Sequence, residues 1–283
     1  MIKFVIIYLV ASAMPYTANA AILNADPTNL LSAFATAQDG DTIKVTGSFG
    51  HFALQNRSFK QRVILDATNA TFTDTLTIQN VSGLFIVRGT FGSQTEALRT
   101  HRAVAIKNSS NVTFQHGTFI GNGSTAGVNA SYGVTMVGSQ AIHVYGGQMS
   151  NFRTGLTVAS SRNVKLDNTS FVAMTSDGIN ISDSHFVTAT ANTCTGTVAY
   201  PGAHPDCIQL WSVLGNPPQS NISLVRNIAN GATQGFTTFN AQDGGGIRIS
   251  MIENIVTTSH PQGFACYSCV DSVFRNNVVS TLP

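Results

Sequence analysis

The sequence is poor in charge and almost without glutamate. Only 10% of its 283 residues are Asp, Glu, Lys or Arg, the formal net charge is +2, and the glutamates are Glu96 and Glu253 alone. So few cations leave no basic footprint for neutralising phosphates, and nucleic acid is excluded as an expected partner. The four cysteines, Cys194, Cys207, Cys266 and Cys269, are too few for a disulfide scaffold, so a packed core must do most of the stabilising. No long uncharged apolar run follows the N-terminal segment, which leaves no expected membrane span. Leu-rich helical periodicity is missing after about residue 38. The rest reads as β.

What is present begins with "MIKFVIIYLVASAMPYTANAA". Lys3 precedes an apolar run from Phe4 to Val10, and small residues follow, ending in Ala18-Asn19-Ala20. This pattern predicts a signal peptide over residues 1–20, cut after Ala20, and a secreted or periplasmic mature chain of residues 21–283.

Self-similarity then decides the architecture. "YGVTMVGSQAIHVYGGQM" begins at Tyr132, "TGLTVASSRNVKLDNTSF" at Thr154 and "DGINISDSHFVTAT" at Asp177, with Gly133, Gly155 and Gly178 spaced by 22 and 23 residues. Each unit carries an apolar-x-apolar strand, a few Ser, Asn or Gly residues, and a second such strand. Units of this length cannot bury an apolar face alone, and stacking each on the last does so. The expected fold is all-β: a single-stranded right-handed parallel β-helix forming one domain over residues 21–283. A β-sandwich, the competing all-β fold, would show irregular units and hairpin turns.

A short amphipathic helix from Pro27 to Ala37, capped by Asp26, is expected to close the N-terminal end and to lead into a first strand at Thr42. No cap is visible after "NNVVSTLP", where a partner or further chain would be needed. Asn227, Asn254 and Asn276 recur in late units and are expected to stack as an amide ladder.

With the units aligned, their first positions run Tyr132, Thr154, Asp177, Asp206, Gln234. Adjacent coils lie about 4.8 Å apart, which brings Asp177 and Asp206 together, and two carboxylates that close push one pKa up. The next outward row is Thr135, Thr157, Asn180, Gln209, Thr237, and beyond it come Ser182, Trp211 and Phe239. Asn180 and Gln209 can grip sugar hydroxyls, and the faces of Trp211 and Phe239 can stack on sugar rings. The unit from Gly178 to Cys207 is enlarged by "GTVAYPGAHP", residues 196–205, the kind of insertion that builds one wall of a binding face.

"TSDGINIS", "HPDCIQLW", "QGFTTF" and "GGGIRIS" together resemble the ordered blocks of polygalacturonases, members of the pectate-lyase-like right-handed β-helix superfamily. The resemblance implies a glycosidase of uronate polymers, with Asp177 as the first catalytic aspartate, Asp206 as the second residue of the aspartate pair, and Arg248 as a substrate-binding arginine. Pro205 stands where that family has its general acid, Gln234 where it has a histidine, and Ser250 where it has a lysine. A proline cannot protonate a leaving group, so hydrolysis would need His204 as donor. For a lyase or an epimerase, His204 is a candidate base, Arg248 or Arg226 a candidate carboxylate neutraliser, and Asp177 with Asp206 a candidate Ca²⁺ pair. A hydrolase would need no cofactor. The expectation is therefore an exported enzyme acting on an acidic polysaccharide, with Asp177, His204 and Asp206 at the chemistry and Asn180, Gln209, Trp211, Phe239 and Arg248 holding sugar. The alternative is a non-catalytic glycan-binding or adhesin β-helix.

"HPDC" and "CYSC" have zinc-like spacing. In an exported β-helix, disulfides Cys194–Cys207 and Cys266–Cys269 are the stronger expectation. The Asn-x-Ser/Thr triplets at Asn56, Asn80, Asn108, Asn168 and Asn221 follow from β-helix composition.

Overall fold

The repeat closes on itself as one coil of a parallel solenoid of about ten turns. The computed structural model describes residues 20–95, 101–126, 130–239 and 246–282. The expected signal peptide, apart from Ala20, lies outside the described residues.

Each coil contributes a strand to each of three faces. The first face carries Tyr132–Val137, Thr154–Ala159, Ile179–Ser182, Asp206–Trp211, Gln234–Thr238 and Phe264–Cys266. The second carries strands such as Gln140–Tyr145, Arg162–Asp167, Ser220–Val225 and Gly246–Ile252, and the third carries short ones such as Ser170–Val172 and Thr193–Thr195. Pairing is parallel on all three faces, which disposes of a hairpin-built sandwich. Inward positions make one continuous core, including the stacked rings of Phe49, Phe72, Phe91 and Phe119.

Corners are made by left-handed residues. Asn56, Asn80, Asn108, Asn168 and Asn221 all have φ between 47° and 56°, a region asparagine tolerates better than other L-residues. The glycosylation-like triplets thus mark turn geometry. At the corner between the second and third faces, the residue after the left-handed one points inward. There Asn192, Asn227, Asn254 and Asn277 stack, each Oδ1 accepting from the backbone N–H and the Nδ2 of the ladder residue one coil earlier where one exists. The expected ladder is corrected at its last rung. Asn276 is the left-handed corner residue, φ 55°, and Asn277 is the rung.

The N-terminal helix is Leu30–Thr36, shorter than expected. Asp26 does not cap it: its carboxylate accepts from the backbone N–H and hydroxyl of Thr28, and this local turn absorbs residues 27–29. Buried Leu30 and Phe34 nonetheless face the first coils, Phe34 meeting Phe59 edge-on at 5.8 Å. The strand at Thr42 is preceded by Ile22–Ala25, which pairs with it in register. At the far end, Phe274, Val278 and Val279 are exposed.

Candidate functional site

Strict alternation would send Asp206 to the core side with Ile208 and Leu210. A break one residue into each first-face strand prevents this. The second position is glycine in most coils, and a Cβ there would lie 2.2 Å from the Gly155 carbonyl at Gly133 and 2.0 Å from the Gly263 carbonyl at Gly235. In the Asp206 coil three successive residues, Asp206, Cys207 and Ile208, are buried, which breaks the alternation, and in the two carboxylate-bearing coils the first and fourth positions share one side. Asn180 Nδ2 accordingly donates to Asp177 Oδ2 at 3.1 Å, and Gln209 Nε2 to Asp206 Oδ2 at 3.3 Å. Cys207 takes the glycine position and is bonded to Cys194 on the third face.

The register stacks the candidates as expected: Asn180 pairs with Gln209 and Ser182 with Trp211, and Gln209 pairs with Thr237. The amides form a chain. Trp211 Nε1 donates to Asn180 Oδ1 at 2.7 Å, and Asn180 Nδ2 also donates to Gln209 Oε1 at 2.6 Å. Much of their hydrogen-bonding capacity is therefore used in fixing the indole and the two carboxylates.

Asp177 and Asp206 have different fates. Asp177 is 6% exposed and lines the groove, its carboxylate accepting from Asn180, Ser176 and the backbone N–H of Asp206. Burial pushes its pKa up to about 6, against those hydrogen bonds and the Arg153 charge. Asp206 is 0% exposed, sealed under Gln209 and Thr237, whose hydroxyl donates to Oδ1 at 2.5 Å. Burial first, and the neighbouring Asp177 charge second, push Asp206 up to about 8. The expected mutual repulsion is thus present, but desolvation is the larger cause.

The groove consists of two adjoining cavities of about 400 Å³ each that share His204, Gln209 and Trp211. The first is lined also by Tyr132, Arg153, Asp177 and Tyr200, the second by Phe239. The insertion forms one wall, with Val198 and Tyr200 donating backbone N–H groups to the carbonyls of Met174 and Thr175. It holds His204 exposed at the junction.

Arg248 is not in this groove. It lies on the second face, left-handed and exposed, its Nε donating to Asn221 Oδ1 at 2.7 Å. The groove instead holds an arginine that motif matching passes over: Arg153, whose guanidinium lies 5.0 Å from the Tyr200 ring centroid and 5.9 Å from that of Tyr132. Its position just before a coil start was the available signal. His260 was missed too. It sits one coil beyond Gln234, Nε2 to Nε2 at 3.5 Å, with its pKa lowered by burial and then by the His204 charge.

The carboxylate pair does not fit a calcium ion, which takes six to eight open oxygens. Asp206 is sealed and both its oxygens accept protein hydrogen bonds. Among the described residues no cluster of three or more His, Cys, Asp or Glu side chains could hold a metal. Both expected disulfides are formed, so the zinc-like spacings have no free thiol. No helix among the described residues is long and apolar enough to cross a membrane.

No family model and no curated protein matches the sequence. As a structure, the chain is similar to a polygalacturonase from Erwinia carotovora ssp. carotovora, with TM-score 0.62 and 13% identity over 92% of this chain and 77% of that one. It is similar to an alginate lyase from Paenibacillus sp. str. FPU-7 at TM-score 0.58 and 12% identity, covering 92% and 98% of the two chains. A Streptococcus pneumoniae surface protein and adhesin, PfbA, matches at TM-score 0.58 and 12% identity, covering 89% and 91%. Likeness at these identities shows the fold, a pectate-lyase-like parallel β-helix.

Proposed function

We propose that this chain is an exported enzyme that cleaves an acidic polysaccharide by β-elimination at the first-face groove. One observation carries the reading: Arg153 and Asp177, a cation and a carboxylate with its pKa raised to about 6, share the groove while the second carboxylate is sealed away from it. Hydrolysis by two flanking carboxylates needs both in contact with the sugar. Elimination needs one base, one neutraliser and one proton donor.

In the proposed reaction, Arg153 binds the uronate carboxylate and draws charge from C5. The Asp177 carboxylate takes the C5 proton, the C5–H electrons form the C4–C5 double bond, and the C4–O4 bond breaks. His204 protonates the departing O4. The products are an unsaturated uronate end and a new reducing end, with atoms balanced and no redox partner or metal ion required. A base whose pKa lies near the working pH suits this step. The alginate lyase named above acts within the same fold. Export rests on the N-terminal segment.

A non-catalytic glycan-binding protein is the second reading, favoured by the sealing of Asp206 and by the likeness to an adhesin. Incubation with a panel of uronate polysaccharides, following ultraviolet absorbance and reducing ends together, separates the two. Elimination raises both. The logarithm of kcat/KM should climb with pH until about 6, as Asp177 ionises, and Asp177→Asn should lower kcat/KM about 10²- to 10⁴-fold while the β circular dichroism is retained. Reducing ends without absorbance would sink elimination, and binding with neither signal would favour the second reading.

A further inference from the structure

At the corner between the first and second faces, Asn108, Gly138, Ser160 and Asp183 are left-handed, with φ between 46° and 59°. The serine after each is buried. Ser109, Ser139 and Ser161 donate their backbone N–H groups to the hydroxyls of Ser139, Ser161 and Ser184, and each hydroxyl donates to the carbonyl two residues before it. This ladder fixes the corner. Over it lies a cavity of about 560 Å³, larger than either half of the first-face groove and sharing no lining residue with it. Gly138 keeps its floor open, since a Cβ there would lie 2.7 Å from Asn108 Oδ1.

The residues that follow the ladder serines, Ser110, Gln140, Arg162 and His185, stand in register on successive coils and line the cavity. Gln140 Oε1 accepts from Arg162 Nε at 3.0 Å and from Nη2 at 2.9 Å. One side of the guanidinium is thereby pinned, and its end, Nη1 with the second Nη2 hydrogen, is a fork of two donors that matches a carboxylate. No carboxylate of the described residues pairs with it. Asp183, the one acid lining the cavity, has both oxygens engaged by the next coil: Oδ1 accepts from the Val213 backbone N–H and Oδ2 from Asn216 Nδ2. Gln140, its carbonyl oxygen taken, offers Nε2 hydrogens, and His185, whose Nδ1 meets Ser220 Oγ at 2.9 Å, offers Nε2. Both suit sugar hydroxyls.

We infer that this corner is a second binding site for an acidic saccharide, in which the Arg162 fork takes a uronate carboxylate while Gln140, Asn108 and His185 take hydroxyls. It rests on the reading above for the class of ligand alone, not for elimination. The arginine is oriented before binding, so little ordering cost falls on the complex. The site spans four coils, about 14 Å at 4.8 Å per coil, and holds a short stretch of polymer while another stretch occupies the groove.

Calorimetry with trigalacturonate and trimannuronate, and with galactotriose and mannotriose as their neutral counterparts, tests it in an Asp177→Asn background that stops turnover. At least one uronate trimer should bind at two sites per chain. Adding Arg162→Ala should leave one, and adding Arg153→Ala should leave the other. With the groove weakened by Arg153→Ala, Arg162→Ala should loosen the remaining binding about tenfold or more, the effect of losing a charge-assisted pair, and Arg162→Lys, which keeps the charge without the fork, should not restore it. Each Arg162 variant should keep the melting temperature of its background, because the side chain is exposed. A single site that Arg162→Ala leaves unchanged, equal binding of a neutral trimer at the corner, full rescue by lysine, or no binding of either uronate trimer overturns the site. Cleavage of a uronate polymer by the parent protein in any of these cases leaves elimination standing. Corner binding that Arg162→Ala abolishes, in a protein that cleaves nothing, supports the site and counts against elimination alone.

Discussion

Asp177 and Asp206 are the same side chain at the same position of successive coils, and their cover divides them. Asp177 keeps a small opening to the groove, whereas Thr237 and Gln209 close over Asp206. A carboxyl with a raised native pKa holds its proton after the unfolded chain has released its own. Its contribution to stability is full below the ordinary value of 3.8 and is lost as pH rises, through about 6 for Asp177 and about 8 for Asp206. The melting temperature should therefore fall between pH 4 and pH 8, and Asp206→Asn should flatten the part above pH 6. Scanning calorimetry of both proteins across this range checks it, and parallel curves would refute it. Both aspartates and Trp211 were legible in the sequence because coil alignment groups them, and His204 because it lies in the inserted segment two residues before Asp206. Arg153 was passed over because the aligned rows begin at Thr154, one residue after it.

Among the elements, the insertion of residues 196–205 does most to make the site. The disulfide Cys194–Cys207 closes this loop across a separation of 13 residues, and a loop of about that size is stabilised by roughly 3 kcal/mol when cross-linked. Replacing both cysteines by alanine should lower unfolding free energy by about 2–4 kcal/mol in denaturant titration. KM should rise and kcat fall together, because the wall that loosens carries both Tyr200, which lines the groove, and His204, the proposed proton donor. A variant with both constants unchanged would contradict that dependence. The pairing of these cysteines was legible from spacing on either side of the loop. The helix was legible as an element but not in its limits, because the Asp26–Thr28 turn competes locally for the residues that would open it.

At the scale of the whole molecule, stability is distributed along the stack. Neighbouring coils contact through equivalent registers, for example Leu156 with Val134 and with Ile179, so stability is close to a sum over coils and their interfaces. Deleting residues 132–153 joins one coil boundary to the next equivalent one. That variant should keep its β circular dichroism and a single cooperative melt, lowered by several degrees, yet lose cleavage entirely with Tyr132 and Arg153. An unfolded product would show that the coils are not interchangeable.

By itself the sequence determined the coil period, the strand register and the two disulfides. These depend on spacing along the chain and on translation along one axis, which a linear pattern records. Only the tertiary structure decided that Asp206 is sealed, that Arg248 faces another side and that Arg153 faces the groove. Exposure and facing depend on what covers a side chain from other coils and on its angular place around the solenoid, and neither is written in the spacing of residues.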